Sequence, residues 1–335
     1  MKVLVVRRDN IGDLVCTTPL IAALKRIDPG GWIGALVNSY NAPVLKNNPD
    51  VDEIVAYTKL KHLEEGDGAL GALGRRLGAL WRLRRARLDL VVLATTDFSP
   101  KLLRIARLLG PRRVAGFSDG SRAASALDIA APIAPLAGKH EVERVYALAP
   151  LLGLEPSPPP LKVLADPEEV RKAAGAFAGG GRRVAVHISA RRPKQRWPVE
   201  SFLELIRRLC ADGTTSILLL WSPGTANDPR HPGDDDKARQ ILEATSSLPV
   251  RGYATRGLEE LIGALAASDA VVCSDGGAMH LAAALGKPIA CFFGDSSVER
   301  WGPWGVRHHI LQAPSRDVAD VPVEAAEAAV RRLVQ

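Results

Sequence analysis

Short apolar runs alternate with longer stretches in which apolar positions recur every three to four residues, along the whole chain. That alternation predicts strands followed by helices, stacked as parallel α/β layers. In the first half, strands are expected at Lys2–Arg7, Trp32–Val37, Glu53–Ala56, Leu90–Leu93 and Val114–Gly116. Helices are expected near Leu14–Arg26, Gly68–Arg87, Pro100–Leu109 and His140–Leu152. The stiff run Glu155-Pro156-Ser157-Pro158-Pro159-Pro160 then breaks the pattern. Beyond it the alternation restarts. Strands are expected at Val184–Ser189, Ile217–Trp221, Ala270–Cys273 and Ile289–Phe293, with helices at Val199–Ala211, Lys237–Ala244, Leu258–Ala267 and Val323–Leu333. The expected fold class is α/β, with two Rossmann-like domains of parallel strands. The first spans 1–155, a proline-rich linker 156–165, and the second 166–335, whose last helix has the option of packing back on the first domain.

Length and composition agree with two ordinary globular domains: 335 residues, 47% of them hydrophobic. The opening apolar run, Val3–Val6, is too short for a signal peptide and leads straight into Arg7 and Arg8. No stretch approaches the length of a membrane span. Cys16, Cys210, Cys273 and Cys291 form no CxxC or finger spacing, so neither a zinc site nor a disulfide framework is expected, and a reducing cytoplasm is the natural setting. The net charge of +7 is uneven, because residues 1–160 hold 22 Lys and Arg against 16 Asp and Glu. Much of the excess lies in Arg75, Arg76, Arg82, Arg84, Arg85 and Arg87, on a helix with Leu73, Leu77, Leu80, Trp81 and Leu83 as its apolar side. A basic helix with apolar anchors suits an anionic membrane surface or an anionic acceptor. A solvated arginine face on a packed helix is the commoner outcome of such a pattern. Nucleic acid finds no support in aromatic interleaving or in a known binding module.

Two segments carry chemistry. SDGGAMHLAAALGKP, Ser274–Pro288, begins where an apolar strand stops. Asp275, Gly276, Gly277 and His280 stand at the turn into an Ala/Leu helix, where free N–H groups favour negative charge. Asp275 is placed to accept from a sugar hydroxyl, and the pattern reads as a diphosphate or sugar-phosphate site. An ordinary capped core helix is the plainer reading. RRDNIGDLVCTTPLIAALKR runs from the first strand's end into a helix and is neither GxGxxG nor a P-loop. Asp13 stands at the helix start, as a cap or as a general base for a hydroxyl nucleophile. Ligands of open parallel sheets sit at strand carboxyl ends. Both segments fall there and are expected to face each other across an interdomain cleft.

Together, IGDLVCTTPLIAALK, SDGGAMHLAAALGKP and the strand-and-loop VAVHISARRPKQRWP, Val184–Pro198, resemble glycosyltransferase family 9, the ADP-heptose:lipopolysaccharide heptosyltransferases. The resemblance covers essentially the whole chain. It implies a GT-B fold with acceptor in the first domain and nucleotide-sugar donor in the second. It also implies inverting transfer without a metal or other cofactor. Asp13 matches the family's catalytic base. Asp275 matches the acid that touches the donor sugar, and Gly277 and His280 match the diphosphate contacts. The family usually has Thr or Ser where this chain has Gly276, which leaves backbone N–H to replace a hydroxyl. Where the family commonly has lysine two residues before Trp-Pro, this chain has Gln195, flanked by Lys194 and Arg196, and either neighbour can supply the cation for the leaving diphosphate. Ser189 and Arg191 are further phosphate candidates.

The acidic run Asp234-Asp235-Asp236 is read as a solvated loop or helix start ahead of a metal site, and one of its carboxylates as a possible ribose contact. His187 reads as a core or cleft-lining residue, and His308 and His309 as strand-edge surface residues. Cys16 lacks a histidine partner and is not expected to be a nucleophile. The expected function is an inverting transferase moving heptose, or a related sugar, from a nucleotide-diphosphate sugar such as ADP-heptose. Its acceptor is lipopolysaccharide core or a similar anionic glycolipid, met at the inner face of the cytoplasmic membrane through Arg82, Arg84 and Arg85. The alternatives are another sugar or acceptor within the family, or a non-catalytic nucleotide-sugar-binding protein, which could dispense with Asp13. A nicotinamide-dependent oxidoreductase is disfavoured by the missing GxGxxG.

Overall fold

The computed structural model describes residues 1–57, 78–227 and 233–335. The chain divides into two compact units, Met1–Val163 and Leu164–Gln335. The N-terminal unit contains β1 (Lys2–Val6), α1 (Ile11–Val15), α2 (Thr18–Ile27), β2 (Trp32–Asn38) and β3 (Glu53–Tyr57). A helical stretch over 78–85 (α3) follows. Next come β4 (Leu90–Leu93), α4 (Pro100–Leu108), β5 (Arg113–Ser118), β6 (Ile129–Pro132) and α5 (Glu141–Tyr146). Its six strands are all parallel, in the order β3-β2-β1-β4-β5-β6.

The C-terminal unit opens with α6 (Pro167–Ala176), β7 (Arg182–His187), α7 (Val199–Cys210), β8 (Thr215–Trp221), α8 (Asp235–Ala244) and β9 (Val250–Ala254). It continues with α9 (Leu258–Ala266), β10 (Ala270–Ser274), α10 (Gly277–Ala284), β11 (Ile289–Phe292), α11 (Val298–Trp301), β12 (His308–Leu311) and α12 (Val323–Leu333). Its parallel strands run β12-β11-β10-β7-β8-β9. Each unit is therefore wound the same way: third, second, first, fourth, fifth, sixth. The winding reverses between the first and fourth strands, and connections leave that point on opposite sides, opening a crevice at the strands' carboxyl ends. β1 and β4 flank this point in one unit, and β7 and β10 in the other.

The central strands are buried on both faces, which is why they read as continuous apolar runs: Val3–Val6, Leu90–Leu93 and Ala270–Ser274 are buried throughout. Each such Val or Leu contributes about 1.5–3 kcal/mol by leaving water. Edge strands look different. β6 is only four residues long, mostly not buried, and ends in Pro132, while β9 holds Arg251 and Gly252, and both escaped the pattern. β12 is an edge strand too, and His308 and His309 lie on it as expected.

The single helix expected over Leu14–Arg26 is two. Pro19 has no N–H for the Val15 carbonyl, which accepts from the Thr18 hydroxyl at 2.7 Å instead, while Thr17 donates to Asp13 O at 2.8 Å. The expected helix over His140–Leu152 likewise shortens to α5 and a 3₁₀ turn at Pro150–Leu152. Residues 156–165 form neither helix nor strand, and Lys162 N donates to Thr18 Oγ1 at 3.0 Å. The buried face of α12 (Ala326, Ala329, Val330 and Leu333) belongs to the core of the C-terminal unit, beside α7.

Candidate functional site

In the N-terminal unit the turn from β1 into α1 is built around a buried guanidinium. Arg7, the residue after β1, is 2% exposed. Its Nη2 donates to Asp13 Oδ1 at 2.5 Å and to Glu141 Oε1 at 2.9 Å, its Nε lies 3.0 Å from Asp9 Oδ2, and its Nη1 donates to the Ala94 carbonyl. Burial works against the Arg7 charge, but Asp13, Glu141 and Asp9 outweigh it and raise its pKa above the ordinary value. Asp13 is the third residue of α1, and its other oxygen accepts from the Asn10 N–H at 3.0 Å. So Asp13 does close a capping box, yet its carboxylate is also fixed from behind by Arg7, which a cap does not require. The side chain remains 12% exposed, enough to meet a hydroxyl. Asn38 Nδ2 and Tyr40 Oη donate to the Asp9 carbonyl at 3.0 and 2.6 Å and hold the loop before α1. Arg7 and Glu141 were not among the expected site residues. They stand 134 positions apart, and a charged residue at a strand end was the one available signal.

In the C-terminal unit two loops meet at the switch point. After β10 comes Asp275, whose Oδ2 accepts from Gln195 Nε2 at 2.9 Å. That amide also reaches Ser296 Oγ at 3.2 Å, and Ser274 Oγ donates back to the Gln195 carbonyl at 2.7 Å. Burial pushes the Asp275 carboxyl above its usual range, against the Ser296, Arg192 and Gln195 contributions that lower it. The helix cap is Gly276, at φ +155°, a conformation that side-chain-bearing residues rarely adopt. Asp275 is therefore not the cap, and the hydroxyl lost at position 276 is the counterpart of a backbone only glycine takes easily. The first N–H groups of α10 have no partner one turn back within the helix and point out of its start. His280, one turn on, is buried, its ring edge-on to Trp301 with centroids 6.0 Å apart.

The loop after β7 carries the remaining candidates. Ser189 Oγ accepts from Ser222 N at 2.9 Å, and Arg196 Nε donates to the Ala190 carbonyl at 2.9 Å. Lys194 and Arg191 are exposed, and the Lys194 ammonium makes no hydrogen bond or ion pair among the described residues. Trp197 anchors the loop's end in the core: its ring stacks 4.5 Å from Phe292, and its Nε1 donates to the Val321 carbonyl at 3.0 Å. Gly294 lets the loops after β7 and β11 approach closely here, since a Cβ would stand 2.5 Å from Lys194 O. The structure thus gathers Ser189, Lys194, Gln195, Arg196, Asp275, Gly276, Gly277 and His280 at the switch point of one unit. Gln195 is the amide that orients Asp275.

Other expectations resolve plainly. Asp234 is the cap residue of α8, Asp235 accepts from Trp221 Nε1 at 2.7 Å and Gly224 N at 2.9 Å, and Asp236 pairs with Arg239 at 2.5 Å. The run is a helix start, and among the described residues no group of three or more His, Cys, Asp or Glu is placed to hold a metal ion. Residues 228–232 of the loop before it lie outside the described residues. His187 is half-buried and pushed down to about 4 by burial and Lys237. Cys16 is pushed up by burial and Glu141, with Arg7 opposing, which suits an inert thiol. In α3, Leu83 is buried, while Trp81 is 58% exposed with Arg85 stacked 4.4 Å over its ring. Arg82 lies 3.2 Å from Glu53, and Arg84 donates to the Leu108 carbonyl. Leu73, Arg75, Arg76 and Leu77 lie outside the described residues. Among the described residues no helix is long and apolar enough to cross a membrane.

The chain is similar to known proteins in sequence and in fold. Lipopolysaccharide heptosyltransferase 3 of Escherichia coli is 24% identical over 307 residues, which covers 88% of this chain and 82% of that protein. A glycosyl transferase family 9 structure from Veillonella parvula superposes with a TM-score of 0.81 at 16% identity, covering 99% of this chain and 97% of its own. The E. coli heptosyltransferase WaaC with ADP-2-deoxy-2-fluoro heptose gives 0.77 at 21% identity, covering 99% of both. These likenesses show the fold, α/β of the GT-B kind with two Rossmann-like domains. The profile of glycosyltransferase family 9 (heptosyltransferase) matches residues 77–327, three quarters of the chain but not the Asp13 turn. The chain therefore belongs to glycosyltransferase family 9, the heptosyltransferase family, and is a glycosyltransferase.

Proposed function

We propose that the protein transfers heptose, with inversion and without a metal, from ADP-heptose to a lipopolysaccharide-core or similar anionic glycolipid acceptor. The N-terminal unit binds the acceptor and the C-terminal unit the donor. One observation carries the reading: Asp275, desolvated and oriented by Gln195 and Ser296, stands directly before the N-terminus of α10. Such a carboxylate suits a sugar hydroxyl, and the helix start beside it suits a diphosphate. Heptose, ADP and lipopolysaccharide come from the relatives, which include a lipopolysaccharide heptosyltransferase and a heptosyltransferase solved with ADP-2-deoxy-2-fluoro heptose.

In this reading Asp13 takes the proton of the acceptor hydroxyl. The acceptor oxygen forms its bond to the anomeric carbon on the face opposite the diphosphate, and the bond to the diphosphate oxygen breaks. ADP leaves with the bonding electron pair. The N–H groups from Gly277 onward and His280 stabilise it. Of the two cations flanking Gln195, Lys194 is the better placed, because Arg196 is already engaged with Ala190. Ser189 and Arg191 line the same loop. The reaction takes place in the cytoplasm, with the protein peripheral on the inner face of the membrane and Arg82, Arg84 and Arg85 near the glycolipid. Calorimetry with a panel of nucleotide sugars tests the donor. ADP-heptose is expected to bind more tightly than UDP- or GDP-sugars, and preference for another base or sugar would move the protein to a different specificity within its family.

A further inference from the structure

We propose that the first turn of α8 is a buckle for the donor site. Lys237 is a positioning residue that ties together the two ends of the loop carrying Ser189, Lys194, Gln195 and Arg196, and Asp235 secures the neighbouring loop after β8. The proposal rests on the reading of that loop as a nucleotide-sugar contact.

Lys237 Nζ donates to the Trp197 carbonyl at 2.8 Å and to the Ile188 carbonyl at 3.4 Å. Those two carbonyls bracket residues 189–196. The same ammonium sits 4.6 Å over the Phe202 ring of α7. This is a poor place for a lysine. It is the third residue of its helix, where the helix dipole disfavours a cation. Burial pulls its pKa down to about 8, with Asp234 and Glu200 opposing and Arg196 adding to the fall. His187, on β7 beneath it, is held neutral in turn. A methionine would fill similar space without these costs, so the two carbonyl contacts are what the charge provides. One residue pair earlier, Asp235 binds Trp221 Nε1 and Gly224 N. A single helical turn thus closes the loops after β7 and β8, the first two strands of the unit's winding. Asp236, paired with Arg239 at the exposed surface, is the member of the run that behaves as a solvated charge.

Lys237→Met and Lys237→Arg in the full chain test the buckle by hydrogen exchange and by ADP calorimetry. In the methionine variant, amides of 189–196 are expected to exchange about tenfold faster while α10 is unchanged, the loss of one charge-assisted tie. ADP is expected to bind about tenfold more weakly, with acceptor KM unmoved and the arginine variant closer to the parent. In the parent, ADP affinity should weaken as pH rises through about 8, where Nζ loses its proton, and this dependence should vanish in Lys237→Met. If Lys237→Met fails to fold, Asp235→Asn decides, with faster exchange expected at 222–224. A variant that lowers Tm but leaves loop exchange and ADP affinity at parent values would show a merely stabilising lysine and overturn the proposal. A parent that does not bind ADP would remove the donor reading, while the exchange experiment still decides the buckle.

Discussion

The two units wind their strands identically, yet each builds its carboxylate site with different chemistry. Asp13 belongs to a buried ionic cluster in which one guanidinium serves Asp9, Asp13 and Glu141. Asp275 is held by an amide and lies near a hydroxyl that shares that amide, and burial raises its pKa. The switch point supplies only a place; the residues at the strand ends decide what the place does. A carboxylate fixed by an opposite charge keeps its orientation while it takes a proton. A carboxylate held by neutral donors in a desolvated setting is suited to recognising hydroxyls, because each hydrogen bond is stronger there.

The sharpest break between the two comes from their asparagine variants. Asp13→Asn is expected to cut turnover by about two to four orders of magnitude while nucleotide-sugar affinity survives. Near-normal turnover would remove Asp13 as the base. Breaking the ionic cluster from behind should be seen in stability. Glu141 is fully buried and faces both Arg7 and Arg144, so Glu141→Gln removes a buried carboxylate from two ion pairs at once, and denaturant melts are expected to lose about 3 kcal/mol. A melt equal to the parent's would mean that Asp9 and Asp13 alone satisfy Arg7.

The other site should respond the opposite way. Because the folded protein raises the Asp275 pKa, its folded form holds the proton more tightly than the unfolded chain does. This site's contribution to stability therefore falls as pH rises from the ordinary carboxyl range through the raised value, and the ionised form is a net burden at neutral pH. Asp275→Asn is accordingly expected to keep or slightly raise Tm at pH 7 while donor KM rises about tenfold. A clear drop in Tm would mean that the ionised carboxylate is a structural necessity. The smallest expected effect is that of excess EDTA, which should leave turnover unchanged. Loss of activity restored by magnesium or manganese would bring the Asp234–Asp236 run back as a metal site.

Much of this was legible before any tertiary contact was known. The central strands announced themselves because burial on both faces leaves nothing but apolar residues. The turns after β1 and β10 were visible because glycine, aspartate and a helix start must follow one another locally. The edge strands β6 and β9 were not, since a strand paired on one side tolerates Pro132, Arg251 and Gly252. The break between α1 and α2 was written in Thr17, Thr18 and Pro19, yet an apolar period of helical length concealed it.

What the chain's order alone determined was the alternation, the family and the positions of Asp13 and Asp275 at strand ends, because each depends on neighbours a few residues away. What only the tertiary structure decided was how those carboxylates are held. Arg7 meets Glu141 across 134 positions, Gln195 meets Asp275 across 80, and Lys237 reaches back 40 to the Trp197 carbonyl. Gln195 looked like a missing lysine in the sequence and is an orienting amide in the fold. Partners so far apart leave no periodicity or spacing to read, and they become neighbours only when parallel strands bring their carboxyl ends to one edge of a sheet.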